Sequence, residues 1–373
     1  MPIDWPSRPA AGAWEMPEVN ELISLARPEI RALEPYASAR KTAGDDGLLL
    51  NANENPWPPA ARPDSRLNRY PEPQPAELRQ RLSDYCGVAP ASLLITRGSD
   101  EGIDLLVRTF CRPGRDAVSV CPPCFALYAL SARIQGAPVH SVPLVAEAEG
   151  HVIDEAGLAA AAARLTFLCS PNNPTGDEVP ADGLERLVTA ARGRGLVVVD
   201  EAYLEFSGRE SFAGLLDRWP NLVVLRTLSK AFGLAGCRLG VVLAHPEVID
   251  LLGRVIPPYP LPAPAVEAGL EALGPEGIRE MRRQVAEIMA GKAELVAGLQ
   301  AHPGIHRVWP GAANFVLAGA ADGPALVAAA GDAGIRLRDV SDQPGLENGV
   351  RITLGRPAEN RRLLEFLEQW RPA

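Results

Sequence analysis

The amino-acid sequence predicts an α/β protein with two lobes, a large one with a mostly parallel central sheet flanked by helices and a smaller α+β one. Six short runs are apolar throughout, as expected of parallel strands that are covered on both faces. Helical patterns separate several of these runs, and a proline-rich stretch interrupts the chain after Val255. A chain of 373 residues is long enough to form two compact units.

The elements of the predicted large lobe follow one another in the order of a doubly wound sheet. Residues 1–65 are rich in proline and polar residues, and we expect an arm with little regular structure there. The large lobe is predicted over residues 66–258, with helices at Glu101–Phe110 and Asp182–Arg192. Its candidate strands are Leu93–Thr96, Ala117–Val120, Leu165–Cys169, Leu196–Val199, Leu222–Leu225 and Gly240–Ala244.

The smaller lobe is predicted over residues 259–373. Five of the nine residues in the segment 256–264 are prolines, so neither a helix nor a strand can run through it. A long helix from Pro275 to Gln300 is expected next, followed by mixed strands and helices and a last helix at Ala358–Trp370.

Composition excludes several classes of function. The formal net charge of −9 argues against a protein that binds a nucleic-acid backbone, which needs basic patches. The longest apolar stretch, Ala156 to Leu168, is too short to span a bilayer and contains Arg164, and no signal peptide is recognisable. Six scattered cysteines suggest the reducing cytoplasm.

Lysine is rare in this chain. It occurs only at Lys41, in a polar N-terminal stretch, at Lys292, in the amphipathic run 279–299, and at Lys230. Lys230 alone is surrounded by small and apolar residues, whereas surface positive charge is supplied by arginine. A lysine at that position therefore needs a chemical reason.

Polar residues follow the predicted strands at the sheet edge where ligands bind in open parallel sheets. After Thr96, Gly98 allows a tight turn, and Ser99 with the first helical N–H groups forms an anion site. The alternative is an ordinary helix cap at Ser99 or Asp100. After Cys169, the turn 170–176 presents asparagine amides to the same edge.

Two further strand ends carry charged groups. Asp200 directly follows a buried apolar strand, which is costly unless a cation pairs with it. A protonated pyridine nitrogen would be such a cation, and an arginine is the alternative. After the next strand comes Lys230, whose desolvation would lower its pKa and make it a nucleophile for carbonyl groups. The hydroxyls of Thr227 and Ser229 and the guanidinium of Arg238 supply donors for a phosphate.

These residues resemble the class II aminotransferases of pyridoxal-phosphate (PLP) fold type I, and among them the histidinol-phosphate aminotransferases. The resemblance extends from about Leu33 to the C-terminus. The segments that carry it are 35–40 (Pro-Tyr-Ala-Ser-Ala-Arg), 50–56 (Leu-Asn-Ala-Asn-Glu-Asn-Pro), 69–71 (Arg-Tyr-Pro), 97–102 (Arg-Gly-Ser-Asp-Glu-Gly), 121–123 (Cys-Pro-Pro), 173–176 (Asn-Pro-Thr-Gly), 200–203 (Asp-Glu-Ala-Tyr), 227–236 (Thr-Leu-Ser-Lys-Ala-Phe-Gly-Leu-Ala-Gly) and 350–355 (Val-Arg-Ile-Thr-Leu-Gly).

The resemblance implies how the cofactor PLP is held. Lys230 would carry it as a Schiff base and move the proton during catalysis, and Asp200 would keep its pyridine nitrogen protonated. Asn173 and Tyr203 would hydrogen-bond its phenolic oxygen, and Phe125 would stack on its ring, where relatives often have Tyr. The positions that match the phosphate site are Gly98, Ser99, Asp100, Thr227, Ser229 and Arg238.

The resemblance also implies a substrate and a partner. Arg351 matches the residue that binds the carboxylate of an amino acid, and Arg338, Tyr36 and Asn53 match positions that bind the substrate, Arg338 and Tyr36 its phosphate. For Arg338 an ion pair with a neighbouring aspartate is the alternative. Tyr70 matches a tyrosine that reaches the cofactor phosphate of a neighbouring subunit, which implies a homodimer with shared sites and arm contacts to the small lobe and the dimer.

The implied reaction is transfer of an amino group between L-histidinol phosphate and 2-oxoglutarate in histidine biosynthesis. An aromatic amino-acid aminotransferase, or another PLP enzyme such as a phosphothreonine decarboxylase, is the nearest alternative. A non-catalytic regulatory protein is disfavoured because Lys230, Asp200 and Asn173 are all present. The pair Cys121 and Cys124 lacks a second pair, and the histidines lack ligand spacing, so no metal site is expected.

Overall fold

The computed structural model describes residues 16–34, 36, 48–148 and 150–371, so that Lys41 and the segment 37–40 lie outside the described residues. Strands account for three sheets in the described part of the chain. They are β1 (Leu93–Thr96), β2 (Val118–Val120), β3 (Val139–Ser141), β4 (Val145–Ala146), β5 (His151–Val152), β6 (Leu165–Cys169), β7 (Leu196–Asp200), β8 (Leu222–Thr227), β9 (Gly240–Ala244), β10 (Ile305–Trp309), β11 (Phe315–Ala320), β12 (Arg338–Asp339) and β13 (Gly349–Thr353).

Helices connect and cover these strands. They are α1 (Met16–Ser24), α2 (Pro28–Arg31), α3 (Ala76–Cys86), α4 (Ser99–Phe110), α5 (Leu127–Gln135), α6 (Glu155–Ala161), α7 (Ala181–Ala191), α8 (Leu204–Ser207), α9 (Pro246–Val255), α10 (Ala263–Ala272), α11 (Pro275–Ala290), α12 (Lys292–Ala301), α13 (Gly323–Asp332) and α14 (Pro357–Gln369), with 3₁₀ turns at Pro90–Ser92, Phe212–Leu215 and Ala235–Cys237. None of the helices described combines the length and apolarity needed to cross a membrane.

The large sheet has seven strands in the order β1-β9-β8-β7-β6-β2-β3. Six of its strands are buried along their whole length, whereas the edge strand β3 is partly exposed. Alternate residues enter separate cores: Val223 and Leu225 of β8 pack on one side, Leu222 and Val224 on the other. Continuous apolar runs were therefore a sound signal for these strands, because a strand covered on both sides has no polar face.

Strand β9 departs from the predicted parallel arrangement. It pairs antiparallel with both β8 and β1, whereas β8, β7, β6, β2 and β3 are parallel to one another. The reason is the connection: between Thr227 and Gly240 the chain forms a short 3₁₀ turn and no α-helix, so it returns beside β8 in the opposite direction. This return segment contains Lys230.

The N-terminal segment contains more regular structure than expected, since α1 and α2 lie within it. Leu22, Leu25 and Ala26 are buried in the core that also contains the large-lobe helices α4 and α9. Contacts of the arm with the smaller lobe and with a second subunit stay predictions, as do the proposed lobe boundaries.

The smaller lobe is built on an antiparallel sheet in the order β10-β11-β13-β12. The long helix predicted over residues 275–300 is instead two helices, α11 and α12, that meet at Gly291. Glycine is a poor helix former because it loses the most backbone entropy, which favours a break there. The break turns Lys292 inward, and this residue is only 8% exposed although the sequence placed it on an amphipathic helix.

A mixed cluster joins the two lobes. Ala202 and Tyr203 follow β7 of the large sheet, and they pack with Met281, Ala313 and Phe315 of the smaller lobe. Apolar contact across the junction fixes the smaller lobe against the ends of the large-sheet strands. The carboxyl edge of the large sheet is thereby turned into a cleft.

Gly240 provides a test of how β9 fits beside the start of α4. A Cβ at this position would lie 2.5 Å from the backbone carbon of Gly98 and 2.6 Å from the nitrogen of Ser99. Because backbone atoms of a buried strand and helix cannot yield, we expect Gly240→Ala to lower the free energy of unfolding by about 2–4 kcal/mol. Urea unfolding followed by circular dichroism measures this change.

Gly253→Ala is the matched control, because a Cβ there meets nothing within 4 Å and the residue lies inside α9. This substitution is expected to raise the free energy of unfolding by about 0.5–1 kcal/mol. Equal effects of the two substitutions would contradict the close packing at Gly240.

Candidate active site

A cavity of about 420 Å³ opens between the carboxyl edge of the large sheet and the smaller lobe. Residues predicted from the sequence make up most of its wall: Ser99, Asp100, Phe125, Asn173, Asp200, Tyr203, Thr227, Ser229, Lys230, Arg238, Arg338 and Arg351. The sequence did not single out the others, which are Cys124, Ala126, Tyr128, Cys169, Ala202, Ala235, Val340 and Gln343. The cavity lies where parallel sheets bind ligands.

One end of the cavity has the donors of an anion site. Gly98 is the N-cap of α4 with φ of 79°, and no side chain caps this helix, so Ser99 is not the ordinary cap that was the alternative. Ser99 is the first residue of this helix, is buried and lines the cavity. The first-turn N–H groups have no intrahelical acceptor, and the helix dipole adds positive potential there.

Hydroxyls and a guanidinium complete this end. Thr227 donates its hydroxyl to Ser229 over 2.9 Å, and Arg238 donates from Nη1 to the same Ser229 oxygen over 3.3 Å. Arg238 also donates from Nη2 to Oδ2 of Asp100 over 2.9 Å. A Cβ at Gly98 would lie 2.6 Å from Nη2 of Arg238, so this position must be glycine for the guanidinium to reach the helix end. The Asp100 carboxylate thus orients Arg238 rather than facing an anion itself.

At the opposite end lies the carboxylate of Asp200. The residue is 2% exposed, and its oxygens accept hydrogen bonds from the hydroxyl of Tyr128 over 2.9 Å and the backbone N–H of Ala202 over 3.1 Å. Among the described residues no arginine pairs with it, unlike the adjacent Glu201, which lies 3.7 Å from Arg226. Burial raises the pKa of Asp200 to about 6 even though both hydrogen bonds lower it. The site therefore has a charge-bearing group that only a cation in the cavity would satisfy.

Lys230 faces the cavity from the return segment between β8 and β9. Its Nζ lies 5.6 Å from the centre of the Tyr203 ring. Burial and the nearby Arg351 lower the pKa of Lys230, which raises the fraction of neutral amine available as a nucleophile or base. Tyr203 in turn packs edge-on against Phe315 of the smaller lobe, with ring centres 5.2 Å apart.

Two arginines extend into the cavity from the smaller lobe. Arg338 of β12 and Arg351 of β13 are paired residues on neighbouring strands. Arg351 donates from Nη1 to the side-chain oxygen of Asn173, and its buried Nε has no hydrogen-bond partner. Within the described residues neither arginine forms a direct ion pair, so the predicted alternative for Arg338, a bridge to Asp339 or Asp342, is not formed at contact distance. Arg338 is nevertheless close enough to Asp339 to help lower the pKa of that carboxyl. Two adjacent guanidinium groups without a carboxylate in direct contact are suited to an anionic ligand.

Besides Gly98, which is the N-cap of α4, three predicted residues do not line the cavity of this chain. Tyr70 stacks on Tyr259 with ring centres 4.4 Å apart, and its backbone N–H donates to Oε1 of Glu54 over 2.6 Å. Tyr36 is 70% exposed, and Asn53 has a positive φ of 54° in the loop that precedes α3. Tyr36, Asn53 and Tyr70 are not part of this cavity wall, so their predicted binding roles stay predictions.

Tyr128 is the most informative residue that the sequence did not reveal. It is fully buried, stacks on Phe167 at 4.9 Å and meets Phe125 edge-on at 5.6 Å. Phe125 and Tyr128 are three positions apart around the start of α5, a spacing that places them on one face. A buried tyrosine hydroxyl needs a hydrogen-bond partner. The three-residue spacing from Phe125, the predicted ring-stacking residue, was therefore the sequence signal that could have indicated Tyr128.

Other polar signals do not form sites. All six cysteines are free, and burial raises the pKa of Cys124 to about 11, which makes that thiol unreactive. In the described part of the chain, no group of three metal-binding side chains is assembled. Cys121 and Cys124 thus belong to the loop that leads to Phe125.

Comparison with known proteins agrees with this geometry. The family model for aminotransferase class I and II matches residues 45–367. The chain belongs to the class I and II aminotransferase family. It is 45% identical to a histidinol-phosphate aminotransferase of Stenotrophomonas maltophilia, over 95% of this chain and 99% of that one, and 48% identical to one of Aeromonas salmonicida, over 90% and 94%.

Solved structures agree on the fold. The chain is similar to the histidinol-phosphate aminotransferase of Sinorhizobium meliloti in complex with pyridoxal 5′-phosphate, with a TM-score of 0.71, 26% identity and coverage of 81% and 83% of the two chains. The structure from Clostridium acetobutylicum matches with a TM-score of 0.75 at 21% identity, covering 81% and 90%. The predicted fold class is confirmed, and the protein is an aminotransferase.

The buried carboxylate of Asp200 leads to a prediction about the stability of the ligand-free protein at different pH values. The folded state raises the pKa of Asp200 to about 6, so the stability gained by protonating Asp200 is complete below about pH 4 and is lost as the pH rises through 6. At pH 8 we expect Asp200→Asn to be more stable than the wild type by on the order of 2–3 kcal/mol, with the difference shrinking toward pH 5. Urea unfolding at several pH values measures it.

Asp217→Asn, which changes an exposed aspartate, is the control and should show no such trend. A stability difference for Asp200→Asn that does not depend on pH would show that the ionised carboxylate is not the destabilising group.

Proposed function

We propose that this aminotransferase interconverts L-histidinol phosphate and 2-oxoglutarate with imidazole acetol phosphate and L-glutamate in histidine biosynthesis, using pyridoxal 5′-phosphate. The observation that carries the proposal is the pair Arg338 and Arg351, whose guanidinium groups enter the cavity without a direct ion pair to any carboxylate of the described residues. A site for two anionic substrates needs such groups. The names of the similar proteins from Stenotrophomonas and Aeromonas support the substrate.

The residues present fit PLP at each of its polar groups. The phosphate would bind at the N-terminus of α4 with Ser99, Ser229 and Arg238, and Asp200 would supply the buried carboxylate that a protonated ring nitrogen needs. Bound PLP supplies an electron sink that stabilises negative charge next to the substrate nitrogen. Phe125, on the cavity wall, would cover one face of the ring.

The side chains at the centre of the cavity have distinct tasks. Lys230 would hold the cofactor covalently between turnovers, and its lowered pKa would suit it to accept a proton from the substrate Cα. Asn173 and Tyr203 would bind the phenolic oxygen of PLP, and the contact of Asn173 with Arg351 links that oxygen to the substrate site. Burial of Asp200 favours a cationic partner, because a charge opposite its carboxylate offsets the desolvation that raises its pKa.

Each of the two arginines would bind a different anionic group of the substrates. Arg351 would grip the carboxylate of glutamate or 2-oxoglutarate in a bidentate pair, and Arg338 would bind the phosphate of histidinol phosphate. Because their strands pair residue for residue at this point, the two guanidinium groups are close enough to serve one shared pocket. Tyr36 and Asn53 are proposed as further substrate contacts on a segment that lies outside this chain's cavity wall.

A homodimer with shared sites is part of the proposal. Tyr70 does not line the cavity of its own chain, which is consistent with a role at the cofactor phosphate of a second copy. Leu48, Leu50 and Trp57, on the same N-terminal stretch, are each more than 70% exposed and would be covered by that copy. A cytoplasmic location is proposed from the free cysteines.

Lys230→Ala is expected to abolish turnover and to leave PLP bound at best non-covalently, because Lys230 is the one lysine among the described residues that lines the cavity. Borohydride reduction followed by peptide mass mapping is the measurement, and the chain's only other lysines, Lys41 and Lys292, make the assignment unambiguous. Wild-type protein should retain the cofactor mass on the peptide of Lys230. Near-normal activity of the variant, or a cofactor fixed to another lysine, would overturn the assignment.

Arg338→Ala is expected to raise the KM for histidinol phosphate about 10- to 100-fold and to change the KM for 2-oxoglutarate much less, because a charged hydrogen-bond partner of the phosphate is lost. Arg336→Ala, which removes an exposed arginine outside the cavity wall, should leave both values unchanged. Steady-state assays with 2-oxoglutarate as acceptor supply the measurement. Wild-type turnover of phenylalanine at least as fast as that of histidinol phosphate would favour an aromatic aminotransferase instead.

A further inference from the structure

Lys292 is a buried lysine outside the active-site cavity. It is 8% exposed at the start of α12, and its Nζ donates to the carbonyl oxygens of Gly311 and Ala313, each over 2.8 Å. No carboxylate in the described part of the chain forms an ion pair with it, and burial lowers the pKa of Lys292 to about 8. A buried amine is costly, so its two backbone bonds need an explanation beyond the packing of α12.

The residue between those two carbonyls faces the large lobe. The backbone N–H of Ala312 donates to the carbonyl of Gly176 over 2.7 Å. Gly311 and Gly176 are packed so tightly that a Cβ on Gly176 would lie 2.7 Å from Cα of Gly311, and both have positive φ. The segment 311–313 therefore has Lys292 on one side and the turn of the large lobe on the other.

The turn that ends at Gly176 carries Asn173. Its closing hydrogen bond runs from the N–H of Gly176 to the carbonyl of Asn172 over 2.7 Å, and the Asn172 amide donates to the carbonyl of Pro123 over 3.0 Å. Within this turn the Asn173 side chain accepts from Arg351 of the smaller lobe. The lobes are thus joined at the turn by two contacts, one through Ala312 and one through Arg351.

We propose that Lys292 is a positioning residue that holds segment 311–313 against the Asn173 turn and so sets the geometry between Asn173 and Arg351. Its compact ammonium reaches both carbonyls from inside the smaller lobe, while Ala313, fully buried, packs in the cluster that contains Tyr203. Lys292 acts on ligands through backbone and touches none of them itself. The consequence for substrate binding rests on the proposed function of Arg351.

The direct test is amide hydrogen exchange, read by mass spectrometry, in Lys292→Met, which keeps the length of the side chain and removes every donor. We expect faster exchange in the peptides that cover residues 172–177 and 310–314, because the N–H of Ala312 loses its fixed partner. Lys292→Gln, which can still donate to one carbonyl, should give a smaller acceleration and serves if the Met variant does not fold. Exchange at wild-type rates in both peptides for either folded variant would overturn the proposal.

The functional test is the dissociation constant of succinate, a dicarboxylate that cannot be transaminated, on the holoenzyme. Lys292→Met is expected to weaken it about tenfold, and this loss should largely disappear in an Asn173→Ala background, because both changes act on one contact. Full additivity of the two substitutions would contradict action through Asn173.

Leu363→Ala is the control, since Leu363 is buried in the core of the smaller lobe and is not part of the lobe junction. This substitution should lower Tm without weakening the binding of succinate or accelerating amide hydrogen exchange at residues 172–177. If it has the same effects as Lys292→Met, Lys292 merely stabilises the lobe. Wild-type protein that does not bind succinate would count against the role of Arg351 and leave the exchange result intact.

Discussion

Asp200 lies at the end of a strand buried on both faces, and the described residues provide two hydrogen bonds but no direct ion pair for its carboxylate. Much of the surrounding architecture follows from this constraint. Tyr128 must be buried under the site to donate to it, and the aromatic stack with Phe167 holds Tyr128 there. The protein keeps a group whose pKa is raised by burial because a positively charged ligand in the cavity would satisfy it.

The end of the cavity at the N-terminus of α4 has the opposite character, because it brings several hydrogen-bond donors together. Glycines at 98 and 240 let the start of α4, strand β9 and Arg238 come together at distances that a side chain would prevent. Asp100 keeps the guanidinium of Arg238 in place. The parallel strands place Asn173 and Asp200 at one edge of the sheet. Because β9 returns antiparallel to β8, the short connection between these two strands contains both Lys230 and Arg238, which line the cavity.

In the proposed function, substrate recognition depends on the junction of the lobes rather than on either lobe alone. Arg338 and Arg351 belong to the smaller sheet, whereas Asn173 and Lys230 follow strands of the large one. The cluster around Tyr203 and Phe315, together with the packing of Gly311 on Gly176, holds the arginines at the cavity. The role that we propose for Lys292 follows from the same arrangement, because its two backbone contacts lie at this junction.

The sequence by itself determined the fold class, most strands of the large sheet and twelve of the residues that line the cavity, because strand ends and the lysine segment have local signatures. It could not give the direction of β9, the break at Gly291 or the burial of Lys292, since these depend on how a connection packs. Tyr128 was missed for the same reason: its partner Asp200 is 72 residues away. Tertiary structure alone decides which distant groups meet, because desolvation and hydrogen bonding act between neighbours in space.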